Sequence, residues 1–219
     1  MKNKLFYLFF VAISVLTTYS CFKVYFSMKD QMILLNEFNS NKFNTNLNVI
    51  ETINDSYPNI SVTTIPLTQM KANYFLRQNK TERAYKLVMK GYNSNPFLGF
   101  GDYLLSKIYK QKGVLDSAQH YAIKAINKLP NNPLHIYNFY QVNNSSEIAD
   151  ELFRKYSSYD NPYFWLGYLN FSINNSNIPK DKLIELNTYA LNNFSSEIEN
   201  FKKIDAFLKF GTNPNNLNQ

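Results

Sequence analysis

The feature that most constrains the fold of this chain is a pair of segments that repeat each other 34 residues apart. Two small residues and a proline carry the repeat with equal spacing in both copies: Ala84, Gly91 and Pro96 in the first, Ala118, Ala125 and Pro130 in the second. A regular period of about 20 to 50 residues is typical of proteins in which similar supersecondary units stack and bury their apolar faces against each other. The chain is therefore expected to fold as a stack of such units.

The period of 34, with small residues seven apart and a proline five further on, resembles the tetratricopeptide repeat. The resemblance is specific for residues 65–132 and degenerate for residues 133–194. It implies an all-α fold, a solenoid of about three to four tetratricopeptide-like helical hairpins. The apolar N-terminus predicts one transmembrane helix before this solenoid. Two residues depart from the family pattern, Lys71 at a leucine position and Asp102 at a tryptophan position.

The composition along the chain predicts four segments. They are a transmembrane anchor at 1–27, a partly helical linker at 28–64, the helical repeat domain at 65–210 and a disordered tail at 211–219. Within the linker we expect a helix that continues from the membrane, a polar turn at Asn39–Asn48 and a short second helix before Asn54.

Prolines, turn residues and capping residues predict the repeat helices. The expected helices are Leu67–Gln78, a helix capped by Thr81, Phe97–Lys112, Leu115–Leu129, and later helices that start at Pro133, after Ser145–Ser146, at Pro162, at Pro179 and after Ser195–Ser196. Small residues are expected where helices approach closely, at Ala84, Gly91, Ala118, Ala122 and Ala125. The buried surface is expected from Phe75, Leu105, Tyr109, Leu115 and Ile126.

The N-terminus carries an uncharged apolar run from Leu5 to Phe22, which residues 24–26 extend beyond Lys23. At about 1.5 Å per residue, a helix over residues 5–26 crosses a hydrocarbon core of about 30 Å, with Lys23 reaching to the interface. Three interpretations remain open: an uncleaved single span, a signal cleaved after Ser20, and a bacterial lipoprotein modified at Cys21. We favour the single span because the apolar run continues past Cys21 and the small-residue cleavage pattern is poor.

The charges that flank the span predict its orientation. Lys2 and Lys4 precede it, and a short basic start usually stays in the cytoplasm. The sequence therefore predicts a single-pass protein of a bacterial inner membrane with its repeats in the periplasm.

The net charge of +7 is concentrated in the first two repeats. Residues 71–128 carry eleven Lys and Arg against three acidic residues, whereas residues 143–219 carry seven basic and nine acidic residues. Such a field favours an anionic partner, although surface lysines also serve solubility.

The sequence contains few residues in patterns that support catalysis or metal binding. His120 and His135 are the only histidines and lack the spacing of a metal site, and Cys21 is expected inside the membrane. No glycine-rich phosphate loop and no nucleophile elbow is present. We therefore expect a protein that is not an enzyme, with no cofactor, no metal and no nucleic-acid partner.

The resemblance to tetratricopeptide repeats implies a concave groove lined by the first helix of each hairpin, where another protein or peptide binds. Its expected residues are Gln69, Asn73, Arg77, Tyr103, Lys107, Gln111, Tyr137 and Gln141. Arg77 and Lys107 would hold one anion, such as a terminal carboxylate, and Asn73 would hold a peptide backbone. The alternative is a groove that is polar without binding a peptide.

A second resemblance covers about 40 residues and concerns function. Asn95–Phe100, Leu104–Ser106, Asp116–Ala118 and Leu129–Asn132 resemble the repeat-bearing tails of some O-antigen ligase or polymerase-like proteins. We therefore expect a membrane-anchored scaffold in a cell-envelope complex, with a link to polysaccharide assembly. The alternative is an envelope lipoprotein whose repeats bind glycan or an assembly machine.

Overall fold

The computed structural model describes residues 2–40, 42–175 and 178–211 of the 219-residue chain, and the side chains from residue 4 onward. The described residues form eleven α-helices and one 3₁₀ turn, with no strand among them. The helices are α1 (Lys2–Ser40), α2 (Leu47–Thr52), α3 (Leu67–Arg77), α4 (Thr81–Gly91), α5 (Phe100–Gln111), α6 (Leu115–Lys128), α7 (Pro133–Val142), α8 (Ser146–Tyr156), α9 (Pro162–Asn175), α10 (Lys180–Asn193) and α11 (Ile198–Phe210). The predicted all-α fold of helical hairpins is confirmed.

The chain divides into two compact units. The first unit is Met1–Ile108 and the second unit is Tyr109–Gln219, so that α5 contributes residues to both. The predicted tail, apart from Gly211, lies outside the described residues.

The first unit is built on the hairpin of α3 and α4, which meet at a glycine. A Cβ added to Gly91 would lie 1.7 Å from Oγ1 and 3.0 Å from Cβ of Thr68, so only glycine allows this approach. The carbonyl of Gly91 also accepts a hydrogen bond of 2.9 Å from Nε2 of Gln69 on the facing helix. Val88, one turn before Gly91, and Ala84, two turns before it, are both fully buried. The small residues therefore do set the helix spacing in this repeat.

The C-terminal part of α1, from Ser27 to Ser40, packs on the same unit. Leu34 and Leu35 are buried, and Oε1 of Gln31 accepts a hydrogen bond of 3.3 Å from the backbone N–H of Val62. Further along, the Glu37 carboxylate accepts a hydrogen bond from the hydroxyl of Tyr74 on α3. The segment predicted as a partly helical linker contains the expected helix continuation and a second helix, and both pack on the repeats.

Ion pairs hold the rest of this segment on α3 and α4. Arg83 binds the Glu51 carboxylate through two hydrogen bonds of 2.9 and 2.6 Å, and Lys90 binds Asp55 at 2.7 Å. The buried Lys71 donates to the carbonyls of Glu51 and Ile53 at 3.0 and 2.9 Å and lies 3.5 Å from Asp55. These partners explain why a lysine occupies the position where the repeat family has leucine.

Asp102, the second residue that departs from the repeat pattern, also has a polar partner. Asp102 is buried with 1% of its surface exposed, and its carboxylate accepts a hydrogen bond of 2.5 Å from the hydroxyl of Tyr92. A buried acid with a hydrogen-bond donor is tolerated, whereas the same acid without one would be costly.

The second unit stacks the helices from α6 to α11 around an aromatic core. Phe153 lies at its centre, with its ring centroid 3.8 Å from Tyr168 and 4.9 Å from Trp165. Ala118, Ala122 and Ala125 are fully buried, with no accessible surface. Ser145 caps α8 by accepting the N–H of Ile148 at 3.3 Å, as its position in the turn predicts.

Three local expectations need correction. The helix expected from Phe97 begins at Phe100, because residues 96–98 form a 3₁₀ turn and Gly99 has a positive φ of 63°. Thr81 is the first residue of α4 and not its cap. Leu115 is 54% exposed and not part of the core, because it starts α6 one turn before the buried Ala118. The other expected core residues are buried, except that Tyr109 is half-buried and stacks on Tyr121.

Among the described residues, one helix is long and apolar enough to cross a membrane, and it is α1. Residues 4–19 and 21–26 are all exposed, whereas Ser27 is 4% exposed. The change in burial at residue 27 separates an apolar, solvent-facing part of the helix from the part that packs on the repeats.

The contact at Gly91 predicts a loss of stability in the Gly91→Ala variant. We expect its free energy of unfolding to fall by about 1–3 kcal/mol, the usual cost of an extra carbon in a packed site. Alanine otherwise favours a helix by about 1 kcal/mol over glycine, so helix propensity cannot produce this loss. Urea unfolding of the detergent-solubilised full chain measures it. Met89→Ala on the exposed face of α4 is the control, and equal stability of both variants would contradict the contact.

Three carboxylates that hold residues 37–55 on the repeats predict an acid-sensitive packing. Burial raises the pKa of Glu37, but hydrogen bonds from Thr45 and Tyr74 lower it by more than burial raises it. The pKa therefore lies below its ordinary value of 4.5. The pKa of Glu51 is lowered mainly by its hydrogen bonds from Arg83. Burial also opposes ionisation of Asp55, and its contacts with Lys90 and Lys71 lower its pKa nonetheless.

Because these pKa values are lower in the folded state, the carboxylates stabilise the fold above their ordinary pKa. This contribution is lost as the pH falls from about 5 through the lowered pKa values of the folded state, so stability should drop over this acid interval. We expect Glu37→Gln to be less stable than wild type at neutral pH and to lose less stability over this interval. Urea unfolding at each pH measures the difference. Glu147→Gln, at an exposed carboxylate of α8, should keep the wild-type dependence.

Candidate binding cleft

The helices α7 and α9 are the first helices of two successive hairpins in the second unit, and they begin in the same way. At each start an asparagine precedes a proline, and its side chain caps the helix. Oδ1 of Asn132 accepts the N–H of Leu134 at 2.9 Å, and Oδ1 of Asn161 accepts the N–H of Tyr163 at 3.0 Å. Nδ2 of Asn161 also donates to the carbonyl of Asn131 at 3.1 Å. The two helices therefore start side by side.

A close contact at Gly167 determines how α7 and α9 pack. A Cβ at this position would lie 2.5 and 2.7 Å from Cδ2 and Cε2 of Tyr140. The Tyr140 ring cannot move away easily, because its centroid lies 4.9 Å from Phe139, 5.9 Å from Phe171 and 6.2 Å from Phe164. The ring therefore packs directly on the backbone of α9.

A cleft of about 340 Å³ opens between these two helices. Ile136 and Phe171 are buried at its floor, whereas Tyr137 is 67% exposed and Tyr163 is 44% exposed. The lining residues are Pro133, Ile136, Tyr137, Tyr140, Gln141, Tyr163, Leu166, Gly167, Asn170, Phe171, Asn174 and Asn175. The cleft thus combines aromatic surface that remains accessible with an apolar floor.

The polar residues of the cleft are amides. Nδ2 of Asn170, Asn174 and Asn175 donates to the carbonyl four residues earlier on α9, at 2.9, 2.8 and 3.2 Å. Each amide oxygen is then left as an acceptor for another group. None of the cleft-lining residues that the structure describes is charged. The arrangement suits an uncharged ligand that offers apolar surface and hydrogen-bond donors.

Tyr140, which lines the cleft, and Tyr168, which does not, remain neutral phenols. Burial raises the pKa of Tyr140 well above 10, and its hydroxyl has no hydrogen-bond partner among the described residues. Burial and a hydrogen bond of 2.7 Å to Asp150 also raise the pKa of Tyr168. The Asp150 carboxylate is half-buried and accepts the hydroxyl of Tyr168. Neither tyrosine can act as a base near neutral pH.

Of the groove residues predicted for the second unit, two line this cleft. Tyr137 projects an exposed ring, and Gln141 lies one turn further along α7 with Oε1 3.2 Å from Nζ of Lys110. Gln111 is exposed near the end of α5 and does not line the cleft.

The groove residues predicted for the first unit differ in accessibility. Gln69 has no accessible surface and donates to Gly91, and Asn73 is 2% exposed with an Oδ1 that has no hydrogen-bond partner among the described residues. Tyr103 is also buried. Arg77 is exposed with its guanidinium 5.3 Å from the Phe43 ring, and Lys107 is half-buried with Nζ 5.5 Å from the Tyr103 ring. Only the two cations of this set reach solvent.

Sequence reasoning missed the α9 side of the cleft because the later hairpins do not keep the period of 34. Counting from the proline that starts each helix would have found it. Tyr137 and Gln141 lie four and eight residues after Pro133, and Leu166 and Asn170 lie four and eight residues after Pro162. The helix-start prolines therefore align the two helices better than the repeat period does.

The histidines lie apart from the cleft lining. His120 is exposed on α6, and His135 is fully buried in α7. No group of three or more potential metal-ligating side chains occurs in the part of the chain that the structure describes.

The contact between Gly167 and Tyr140 predicts a coupled loss of stability. Gly167→Ala should lower the free energy of unfolding by about 1–3 kcal/mol, because the Tyr140 ring has to leave its packed position. The same change in a Tyr140→Leu background should cost less, since the clashing ring is absent. Urea unfolding of the four proteins of this cycle measures the coupling. An equal cost in both backgrounds would contradict the close contact.

Comparisons with known proteins bear on the fold. No protein-family model matches the chain, and no curated protein is significantly similar to it in sequence. Among solved structures, a thermophilic tetratricopeptide repeat protein of Thermus thermophilus is similar, with a TM-score of 0.55 and 13% sequence identity. The match covers 83% of this chain and 98% of that chain. This likeness shows that the chain has a tetratricopeptide-like fold.

Proposed function

We propose that this chain is a membrane-anchored scaffold whose tetratricopeptide-like domain binds an extended peptide segment of another protein. The observation that carries the proposal is the uncharged cleft between α7 and α9. It lies on the first helices of successive hairpins, the elements that line the concave binding surface in stacked helical repeats. We propose no catalytic role for it.

The lining of the cleft favours a peptide as the occupant. An extended peptide presents backbone N–H groups at regular intervals, and the amide oxygens of Asn170 and Asn174 are acceptors for them. The exposed rings of Tyr137 and Tyr163 offer apolar contact to side chains of the peptide. Since the described lining carries no charge, the bound segment is itself uncharged and partly apolar.

Arg77 and Lys107 have a separate part in this proposal. The predicted clamp needs Asn73 to hold the peptide backbone, but Asn73 is buried, as is the groove residue Gln69. We therefore assign the peptide to the α7–α9 cleft and assign Arg77 and Lys107, which reach solvent, to long-range attraction of an acidic partner. The excess of basic residues between 71 and 128 supports such attraction.

The proposed location is a bacterial inner membrane with the repeats in the periplasm. The length and apolar composition of α1 support a span at residues 5–26, and Lys2 and Lys4 favour a cytoplasmic N-terminus. The resemblance of segments between 95 and 132 to the tails of O-antigen ligase-like proteins favours a complex for envelope polysaccharide assembly.

A second candidate function is glycan binding by an envelope lipoprotein. The exposed tyrosine rings and neutral amides of the cleft favour it, because sugars stack on aromatic faces and hydrogen-bond to amides. This alternative requires a lipid on Cys21, which is exposed on α1. The intact mass of the protein extracted from membranes separates the two, since lipidation and cleavage before Cys21 would change it.

The proposal predicts that removal of two cleft tyrosines abolishes partner binding. We expect crosslinked affinity capture from native membranes to recover a partner with wild type and to lose it with Tyr137→Ala/Tyr163→Ala. Both rings are exposed, so the double variant should keep its helical circular dichroism. Tyr159→Ala is the matched control, because Tyr159 is as exposed as Tyr163, at 44%, and does not line the cleft.

The captured partner then has to bind as a peptide. Overlapping synthetic peptides of that partner should contain an uncharged segment that binds wild type and not the double variant. Equal capture by all three proteins would exclude the cleft as the binding site. Retention of an oligosaccharide on wild type, with no peptide bound, would favour the glycan alternative.

A further inference from the structure

We propose that the end of the first unit next to the membrane span docks on the bilayer surface through Val62 and Phe97. This inference rests on the proposed function, in which residues 5–26 of α1 cross the membrane. It assigns a lipid-contacting surface to the repeat unit itself, in addition to the anchor.

The unit begins directly where the proposed span ends. Ser27 is 4% exposed and Gln31 is 2% exposed, and Nε2 of Gln31 donates to Oγ of Ser27 at 3.1 Å. Gln31 also accepts the backbone N–H of Val62 at 3.3 Å. Five residues of helix separate Phe26 from Gln31, a rise of about 7.5 Å. The loop at Val62 therefore lies within about one and a half helical turns of the end of the span.

The direction of α1 identifies the membrane-facing end of the unit. The C-terminal part of α1 runs alongside α3. Gln31 accepts a hydrogen bond from Val62, which precedes α3, and Glu37 accepts one from Tyr74 within α3. Beyond α1, the carbonyl of Phe43 accepts Nε2 of Gln78 at 2.8 Å, just after the end of α3. The turn at residues 78–80 is therefore at the far end, and the loop before α3 is at the near end.

The return from α4 to α5 lies at the same near end. Nδ2 of Asn95 donates to the carbonyl of Thr64 at 3.0 Å, which brings the 3₁₀ turn of residues 96–98 beside the loop at Val62. Phe97 in this turn is 83% exposed, more than Leu5 of the span at 75%, and Val62 is 60% exposed. Two apolar side chains thus project from neighbouring loops at this end.

The bilayer interface is the occupant that this geometry favours. Because α1 is one continuous helix, the near end of the unit stays within about one and a half helical turns of the end of the span. Phenylalanine and valine at that depth can leave water for the interface, where aromatic side chains are commonly found. Lys29 on α1 is exposed and attracts anionic headgroups.

Site-directed spin labelling of the full chain in liposomes of neutral and anionic phospholipid tests this surface. In a Cys21→Ser background, single cysteines are placed at Phe97, Val62, Lys80 and Ile13. Lys80 is exposed at the far end of the same unit and is the matched aqueous control. Ile13 is in the middle of the proposed span and reports insertion. The measured quantities are the collision rates of each label with oxygen and with a water-soluble nickel complex.

We expect labels at 97 and 62 to lose accessibility to the nickel complex relative to the label at 80, and to gain accessibility to oxygen. Nickel accessibility at 97 and 62 equal to that at 80, with 13 deep in the bilayer, would overturn the docking surface and leave the span intact. A water-accessible label at 13 would overturn the span and the docking surface together. All labelled positions are exposed, so circular dichroism should match wild type.

Discussion

Close approach of paired helices at glycine is the constraint on which the hairpins of this protein depend. At Gly91 the backbone of α4 contacts Thr68, and at Gly167 the backbone of α9 contacts the Tyr140 ring. Neither contact leaves room for a methyl group. In the first unit this closeness allows Gln69 to reach the Gly91 carbonyl, which is why an amide expected in a groove is instead part of the core. In the second unit the same constraint packs α7 directly against α9, the two helices that line the cleft.

The repeat helices could be predicted because their signals are local. Prolines, capping side chains and small residues act within a few positions, so most helix starts were expected correctly, whereas the 3₁₀ turn at residues 96–98 was missed. The packing of residues 28–64 could not be predicted in the same way. Its partners are distant along the chain, as in the contacts of Lys71 and Lys90 with Asp55 and of Arg83 with Glu51. A charged residue at a family leucine position was the available signal.

The candidate cleft could be predicted on one of its two sides. Tyr137 and Gln141 were found because residue 133 keeps the register of the preceding repeats. Leu166 and Asn170 were missed because the step from Pro133 to Pro162 is 29 residues, shorter than the period of 34. A shorter hairpin moves every later position, although the packing of α7 against α9 is preserved. Register in degenerate repeats therefore depends on helix starts more than on the period.

The unbroken course of α1 also has a mechanical consequence. From Lys2 to Ser40 the helix contains no proline and no glycine, and its part from Ser27 onward belongs to the packed unit. In the proposed membrane-anchored arrangement, α1 tilts to match the thickness of its bilayer, as transmembrane helices do. Because no hinge separates the two parts of α1, such a tilt rotates the first repeat unit by the same angle. Bilayer thickness would thus set the inclination of the hairpin of α3 and α4 above the membrane.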